Sequence, residues 1–406
     1  MLSRTFRFAL PAAIGLMFLA PAADPAAATG CKSFGSFNHW LRGLADEAVK
    51  DGVSRRTVNR ALAGITYDPK VISRDRRQGV FSMSFLKFAG RVISKGRIAG
   101  GRRRLKQHAN LFQRIKRDYG VHGPVLVSFW GLETDFGGNM GDFRTIRSLA
   151  TLAYDCRRPE KFRPQLIDAL RLVDKGDLDL GEMIGAWAGE IGHTQFLPTE
   201  YNETAVDYDG DGHRNLRRSI PDAMASSAKL LVKHGWRANE PWLEEVKVPA
   251  RMDWSQADVA IRHPRSQWAK WGVRTRSGRP IKADSMPASL LLPMGHRGPA
   301  FLAYPNFTVA YLEWNNSLVY STSAAYFATR LAGAPPVDPG NPPTPLDIGE
   351  IKQLQRELIR LGYDVGKLDG IIGAQTRAAV KDMQIKLGMP ADSYPTKDLL
   401  SRLRSR

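Results

Sequence analysis

The sequence predicts a mainly helical protein of the α+β class, with a large body followed by a small helical tail. Apolar residues recur at helical spacing through most of residues 38–234. Residues 246–318 mix turns, tryptophans and short β-like runs such as 308–311. Residues 333–346 contain six prolines, which is typical of an extended, semi-rigid spacer between the body and the tail.

The first thirty residues have the features of a secretory signal peptide. Arg4 and Arg7 precede an apolar run, and the small residues 26–28 form an A-x-A-like cleavage site. The run is too short to span a bilayer, and no later segment approaches about 20 consecutive apolar residues. We therefore expect residues 1–30 to be removed and the protein to be periplasmic. The alternative is a membrane-anchored lipoprotein.

The net charge restricts the kind of partner. The 406 residues include 59 Lys and Arg against 40 Asp and Glu, which gives a net charge of +19. Such a charge favours an anionic partner: nucleic acid, an anionic membrane or an acidic cell-wall polymer. Export argues against nucleic acid and for an extracytoplasmic polyanion. The oligomeric state does not follow from the sequence.

The two cysteines, Cys31 and Cys156, allow two interpretations. In an oxidising compartment they can form one disulfide that ties the mature N-terminus to the body. Alternatively, Cys31 is the lipidated residue of a lipoprotein, and only then does a membrane become a partner. The preceding residues match a lipobox only in part, because leucine is usual where Ala28 stands.

Local signals divide the body into helices. A helical pattern covers residues 38–50, and Ser54 is the expected N-cap of the next helix. A further helix is expected over 105–119, ended by Gly120 at C′. Pro124 suits the first turn of the helix that follows. Two later amphipathic segments are residues 163–175 and 219–234.

One glutamate continues an apolar helix face. Residues 129–138 read FWGLETDFGG, and Val125, Phe129 and Glu133 share a face because they are four residues apart. Burial and the nearby helix C-terminus both disfavour a charged carboxylate, so they favour an acid that stays protonated. A general acid for glycosidic cleavage needs that property. The alternative is an exposed helix end with a solvated carboxylate.

Two more segments suit a sugar ligand. Residues 185–201, GAWAGEIGHTQFLPTEY, combine glycines with the amide of Gln195. Residues 306–320, NFTVAYLEWNNSLVY, interleave aromatic rings with asparagines, and such side chains stack on sugars and bond their hydroxyl groups. Either segment can equally be ordinary core.

Five motifs, in order, carry a family resemblance: WGLETDFGG, GEIGHTQFLPTEY, AVDYDGDGHRNL, SIPDAMASSAKLLVKHGW and NFTVAYLEWNNS. Over most of residues 31–330 the chain resembles the lytic murein transglycosylase B family. The resemblance implies a lysozyme-like, mostly helical catalytic domain over 31–332. It also implies cleavage of the β-1,4 bond between N-acetylmuramic acid and N-acetylglucosamine in peptidoglycan.

By this resemblance, Glu133 is the single catalytic acid/base. It protonates the glycosidic oxygen while the muramic acetamido group assists at C1, and the muramic C6 hydroxyl then closes a 1,6-anhydro ring. No cofactor is required. The positions that match substrate contacts of the family are Gln195, Trp314, Asn315 and Tyr320. The rival functions are a muramidase that hydrolyses with water and a non-catalytic wall-binding protein.

The chain departs from the family at several of these positions. Trp314 stands where relatives can carry tyrosine, and Ala186 stands where some members have a hydroxyl residue. Glu190 replaces a small apolar residue. Glu190 and Asp135 could each tune the pKa of Glu133, but we interpret both as plain loop carboxylates.

Residues 207–215, DYDGDGHRN, resemble the first nine positions of an EF-hand calcium loop. The candidate ligands are Asp207, Asp209, Asp211, His213 and Asn215. Position 12 is Arg218 where an EF-hand has a bidentate glutamate, and this weakens the predicted affinity. A plain Asp/Gly turn is the alternative to a calcium site.

The tail, residues 347–406, resembles the peptidoglycan-binding type 1 module, a small three-helix domain. Leu354, Leu358 and Leu361 form a helical stripe that is closed by Gly362, and a second helix is expected over 376–385. Such a module implies peptidoglycan glycan strands as the partner. It would raise the local concentration of the catalytic body at the wall.

Overall fold

The structure is a computed structural model, and it describes residues 35–76 and 83–405. The predicted signal peptide and Cys31 lie outside the described residues, so cleavage, lipidation and the disulfide stay predictions. Cys156, the expected disulfide partner, lies exposed in the turn between two helices. Within the described part of the chain, no helix is both long and apolar enough to cross a membrane.

The predicted mainly helical fold is confirmed. Helices α1–α16 span, in order, Phe37–Lys50, Arg55–Leu62, Pro69–Arg76, Phe85–Val92, Lys95–Gln107, Ala109–Tyr119, Gly123–Thr134, Thr145–Tyr154, Pro159–Asp174, Pro198–Thr204, Ile220–Lys233, Arg265–Lys270, Leu318–Leu331, Ile348–Arg360, Ala374–Lys386 and Lys397–Arg404. Strands β1–β7 span Phe143–Arg144, Ile184–Gly185, Leu243–Lys247, His263–Pro264, Arg274–Thr275, Pro287–Leu291 and Ala300–Ala303.

Several predicted helix ends are confirmed, and one helix is wrong in detail. The Ser54 hydroxyl caps α2 by accepting a hydrogen bond from the Thr57 N–H. Gly120 ends α6 with a left-handed φ of 70°. The single helix expected over 105–119 is broken at His108, whose φ of −109° and ψ of 30° are not helical. The His108 ring lies 6.1 Å from the Trp130 ring, so a tertiary contact accompanies the break.

The described residues form two compact units. The first unit contains residues 35–76 and 103–233. Helix α7 lies in its core, with Val125, Leu126 and Phe129 fully buried. The pair β1–β2 is antiparallel and aligns Phe143 with Gly185, which brings the 185–201 segment into this unit.

The second unit contains residues 83–102 and 234–405. Its five-stranded antiparallel sheet has the order β4-β6-β7-β3-β5. Trp268, Leu290 and Leu302 are fully buried in one hydrophobic cluster of this unit. The β-like interpretation of 308–311 was wrong, because Phe307–Leu312 is a π-helical segment.

The tail folds as the predicted small helical module, built from α14, α15 and α16 around one apolar core. This module packs within the second unit. Lys381 donates to the backbone oxygen of Ser255 at 2.7 Å, and the His296 Nδ1 lies 2.6 Å from an Asp392 oxygen. The proline-rich segment also makes contacts, since the Asn341 N–H donates to the Arg297 oxygen at 2.8 Å. In this structure the module is therefore held against two segments of the second unit that lie outside its strands, one at Ser255 and one at His296.

Candidate active site

Glu133 lies in the last turn of α7, and its side chain is buried, with 8% of the residue exposed. Pro124 in the first turn costs no helical hydrogen bond, because N–H groups there lack partners within the helix. The helix ends because Asp135 and Phe136 adopt left-handed φ values of 51° and 61°. The carboxyl is therefore fixed at the junction between a buried helix and a tight turn.

A buried histidine joins this turn to the 185–201 segment. The Trp130 Nε1–H donates to the His193 Nδ1 at 3.1 Å, and the Thr134 hydroxyl donates to the His193 backbone oxygen at 2.7 Å. Burial lowers the pKa of His193 to about 4, and the charge of Arg217 acts in the same direction. The ring is therefore neutral near pH 7, with Nδ1 as acceptor and the hydrogen on Nε2.

Gly137 allows this close approach. Its φ is +84°, and a Cβ atom at this position would lie 2.6 Å from the His193 Cε1 and 2.7 Å from Nδ1. Glycine both adopts this backbone conformation without strain and leaves room for the ring. The sequence signal was the Gly137-Gly138 pair, but it indicated only a helix end.

Gln195 presents an unused acceptor in the same unit. It lies in a short loop closed by paired backbone bonds between Ile191 and Phe196, at 2.8 and 3.0 Å. Its Nε2 donates to the Gly192 oxygen at 2.7 Å, whereas its buried Oε1 has no hydrogen-bond partner among the described residues. A buried acceptor without a partner costs about 1–3 kcal/mol, and a ligand N–H or O–H would remove that cost.

Backbone strain is concentrated here. Of the five non-glycine residues with positive φ among those described, three belong to this site: Asp135, Phe136 and Gln195. Each such residue costs of order 1 kcal/mol or more, and strained residues cluster at functional sites. Asp135 is exposed and is the left-handed residue that ends α7, and whether its carboxylate affects Glu133 stays a prediction.

Sequence reasoning missed two residues in this unit. His193 carried no recognised signal beyond its place in the motif. Glu190 was interpreted as a plain loop carboxylate, but only 2% of it is exposed. Its replacement of a small apolar residue was the signal that could have indicated burial.

The other predicted substrate residues lie in the second unit. Trp314, Asn315 and Tyr320 are all buried there. The Asn315 Oδ1 accepts from the Ser317 N–H at 2.9 Å, so it orders the turn before α13. The Tyr320 ring lies 6.5 Å from the Phe88 ring. Their contact with substrate stays a prediction.

The acidic loop has the donor set of a calcium site. Asp207, Asp209 and Asp211 are exposed, and their candidate ligand atoms lie within 4.8 Å of one another. Desolvation raises the pKa of Asp207, but hydrogen bonds from the backbone N–H groups of Gly212, Gly210 and Asp211 outweigh this effect and lower it. Three carboxylates on one turn fit a hard cation that prefers oxygen ligands.

The remaining predicted ligands differ from an EF-hand. His213 is exposed, and the Asn215 Oδ1 already accepts from the Arg218 N–H at 2.9 Å. The Arg218 side chain pairs with Glu182 at 2.6 Å. Sequence reasoning missed Asp222, a fully buried carboxylate that accepts from the Tyr208 and Asn215 N–H groups at 2.7 and 2.8 Å and so supports the loop.

Comparisons with solved structures agree with this architecture. SltB3 from Pseudomonas aeruginosa, solved in complex with NAG-anhNAM-pentapeptide, is 42% identical to the chain. The match has a TM-score of 0.85 and covers 91% of this chain and 100% of SltB3. Slt35 from Escherichia coli, solved in complex with calcium, is 26% identical, with a TM-score of 0.61 over 72% of this chain and 92% of that chain. The predicted lysozyme-like fold is thereby confirmed.

Sequence comparisons define the family. Membrane-bound lytic murein transglycosylase B from Escherichia coli is 33% identical over 154 residues, which cover 38% of this chain and 42% of that protein. The match therefore spans less than half of this relative's length. Residues 349–403 match the model of a peptidoglycan binding domain. Residues 36–329 match the model described as Transglycosylase SLT domain, and the chain belongs to that family.

Proposed function

We propose that the protein is an exported peptidoglycan lytic transglycosylase that cleaves the MurNAc-β-1,4-GlcNAc bond and leaves 1,6-anhydro-MurNAc ends. The observation that carries the proposal is Glu133, a buried carboxyl fixed between a core helix and a strained turn. Family membership supports the same reaction class. So does SltB3, whose complex contains an anhydro-muramic pentapeptide.

The first step is protonation of the leaving group. The Glu133 carboxyl gives its proton to the glycosidic oxygen, and the acetamido oxygen of the muramic residue attacks C1 as the C1–O bond breaks. Glu133 is then a carboxylate, and the N-acetylglucosamine end leaves as an alcohol. Burial favours the protonated form that this step consumes.

The second step closes the ring. The Glu133 carboxylate takes the proton of the muramic C6 hydroxyl, whose oxygen attacks C1 and displaces the acetamido oxygen. The proton taken from the hydroxyl restores the acid, so no water is consumed. One carboxylate suffices because the substrate supplies both the assisting group and the nucleophile, whereas a hydrolase normally uses two carboxylates.

The neighbouring residues position the reactants. The unpartnered Gln195 Oε1 is suited to accept an N–H or O–H of the sugar. The neutral His193 holds Trp130 beside the turn and adds no positive charge that would favour ionised Glu133. We also propose Trp314, Asn315 and Tyr320, the positions that match substrate contacts of the family, as residues that bind peptidoglycan.

The module and the net charge suit a wall polymer. The C-terminal domain would bind peptidoglycan strands, and the net charge of +19 would attract the same anionic polymer. A nucleic-acid partner is therefore not needed to account for the charge. A membrane would be a partner only if Cys31 is lipidated.

The reaction needs no cofactor. We also propose Asp207, Asp209 and Asp211 as a structural calcium site, supported by the calcium complex of Slt35.

The test is a digest of purified peptidoglycan by the wild type, Glu133→Gln and the exposed control Glu160→Gln, with products read by mass spectrometry. We expect anhydro-muropeptides from the wild type and the control, and none from Glu133→Gln. Products heavier by one water would favour the muramidase. Wall binding without release by any variant would favour the non-catalytic alternative.

A further inference from the structure

Arg104 lies against two aromatic rings that flank Glu133 in the chain. Its guanidinium carbon lies 5.8 Å from the centroid of the Trp130 ring and 5.8 Å from that of the Phe136 ring, close enough for both rings to attract the cation. The two rings meet edge to face, with their centroids 5.9 Å apart. Phe136 is one of the left-handed residues of the turn after α7. The guanidinium therefore lies beside the turn that fixes the acid/base.

The Arg104 guanidinium has no acidic partner within the described part of the chain. No described residue forms an ion pair or a hydrogen bond with it, and α5, which carries it, contains no acidic residue. Other partly buried arginines of the first unit are paired: Arg163 with Glu47, and Arg214 with Asp177. Arg104 is also partly buried, and its ring contacts use none of the five N–H donors of a guanidinium. A carboxylate from outside the protein can bind these donors.

The positive charge beside these rings comes from Arg104 and not from the neighbouring histidines. The His108 ring lies 6.1 Å from the Trp130 ring, on the segment that follows α5. Burial lowers the pKa of His108, and the Arg104 charge adds to this effect. His193, which accepts from the Trp130 N–H, is neutral for the same first reason. Arginine, in contrast, stays charged throughout the pH range of the reaction.

We propose that Arg104 binds the C-terminal carboxylate of the peptide attached to muramic acid in the substrate. This inference rests on the proposed function and adds to it a residue that recognises the peptide. A peptide joined to muramic acid through its amino end has a free carboxylate at its other end. The planar guanidinium matches a carboxylate with two parallel hydrogen bonds, and such charged bonds are stronger than neutral ones.

The peptide is long enough for this contact. Trp130 precedes Glu133 by three residues in α7, and residues at this spacing lie about 5–6 Å apart at their Cβ atoms. The Arg104 guanidinium lies just beyond the Trp130 ring. An extended peptide of five residues, the length in the SltB3 complex, spans up to about 17 Å. Its end can therefore reach Arg104 while the sugar that carries it lies at Glu133.

The experiment measures kcat and KM of the full-length protein on soluble glycan fragments whose pentapeptide ends either in a carboxylate or in a carboxamide. The wild type should have a KM about tenfold lower for the carboxylate. Arg104→Met should raise KM for the carboxylate substrate by about tenfold, with kcat unchanged, and should no longer distinguish the two substrates. Arg103→Met removes the same charge from an exposed neighbour and should keep the wild-type preference.

Arg104→Lys serves if the methionine variant folds poorly. It keeps the charge but lacks the paired donors, so it should lose most of the preference for the carboxylate. A wild type that cleaves both substrates equally well, or an Arg104→Met variant that keeps the preference, would overturn the inference and leave the proposed function intact. Equal loss of preference in Arg103→Met would indicate a diffuse charge effect and also overturn it. A wild type that cleaves neither substrate would overturn the proposed function and this inference together.

Discussion

Replacement of Gly137 by alanine tests whether the turn after α7 and the buried histidine are built as one unit. The left-handed φ of +84° costs an alanine about 1–2 kcal/mol. The new Cβ atom would also lie 2.6 Å from a His193 ring that the Trp130 N–H holds in place, and overpacking of this kind costs about 1–3 kcal/mol. We therefore expect a total loss of about 2–5 kcal/mol in the free energy of unfolding.

Gly176→Ala is the matched control, because Gly176 has a similar φ of +76° but no atom within 4 Å of its Cβ position. It should lose only the backbone contribution of about 1–2 kcal/mol. Denaturant titration of both variants measures the difference. Because Glu133 lies four residues before Gly137, we also expect Gly137→Ala to reduce kcat by about tenfold or more. Equal stability losses in the two variants, with activity retained by Gly137→Ala, would refute this reasoning.

Three further predictions follow from burial, charge and docking. Because folding raises the pKa of Glu190 and Glu200 to about 7, each contributes stability that is fully present below its unfolded pKa and is lost as pH rises through about 7. Glu190→Met should therefore flatten the decline of the melting temperature with pH and raise the melting temperature near pH 8. An unaltered slope would contradict the burial argument. Calcium at about a hundredfold over its dissociation constant should stabilise the wild type by about 2.7 kcal/mol in thermal melts, relative to melts with chelator. If Asp207→Asn is stabilised by calcium as much as the wild type is, this loop is not the calcium site. Lys381→Met should speed proteolysis within residues 333–346, because it removes the 2.7 Å bond from the module to the Ser255 backbone oxygen. Lys386→Met should not, because Lys386 pairs inside the module, and equal cleavage rates would show that the Lys381 bond does not hold the module.

The sequence predicted the features whose signals are local. Ser54 and Gly120 act as helix ends because capping depends on residues within one turn. The apolar run after Pro124 placed Glu133 in a buried helix, since a face is defined by spacing alone. The tail was predicted for the same reason, because its leucine stripe is continuous over two helical turns.

Features set by distant contacts could not be predicted. The β-branched Thr308 and Val309 favour a strand locally, yet packing in the second unit makes this segment π-helical. The order β4-β6-β7-β3-β5 depends on pairings far apart in the sequence.

The burial of Glu190 was missed for a similar reason. A single glutamate in a glycine-containing loop is typical of solvent. It becomes buried only when parts of the chain that are distant in sequence, among them the helices that carry Lys161 and Glu200, fold near it.

The central claim is that the substrate's own hydroxyl, activated by Glu133, attacks C1 in place of water. The most direct measurement is digestion of peptidoglycan in water labelled with oxygen-18, followed by mass analysis of the new muramic ends. The account predicts anhydro ends without label from the wild type, and no new ends from Glu133→Gln. Label incorporated at C1 of reducing muramic ends during the reaction would contradict it.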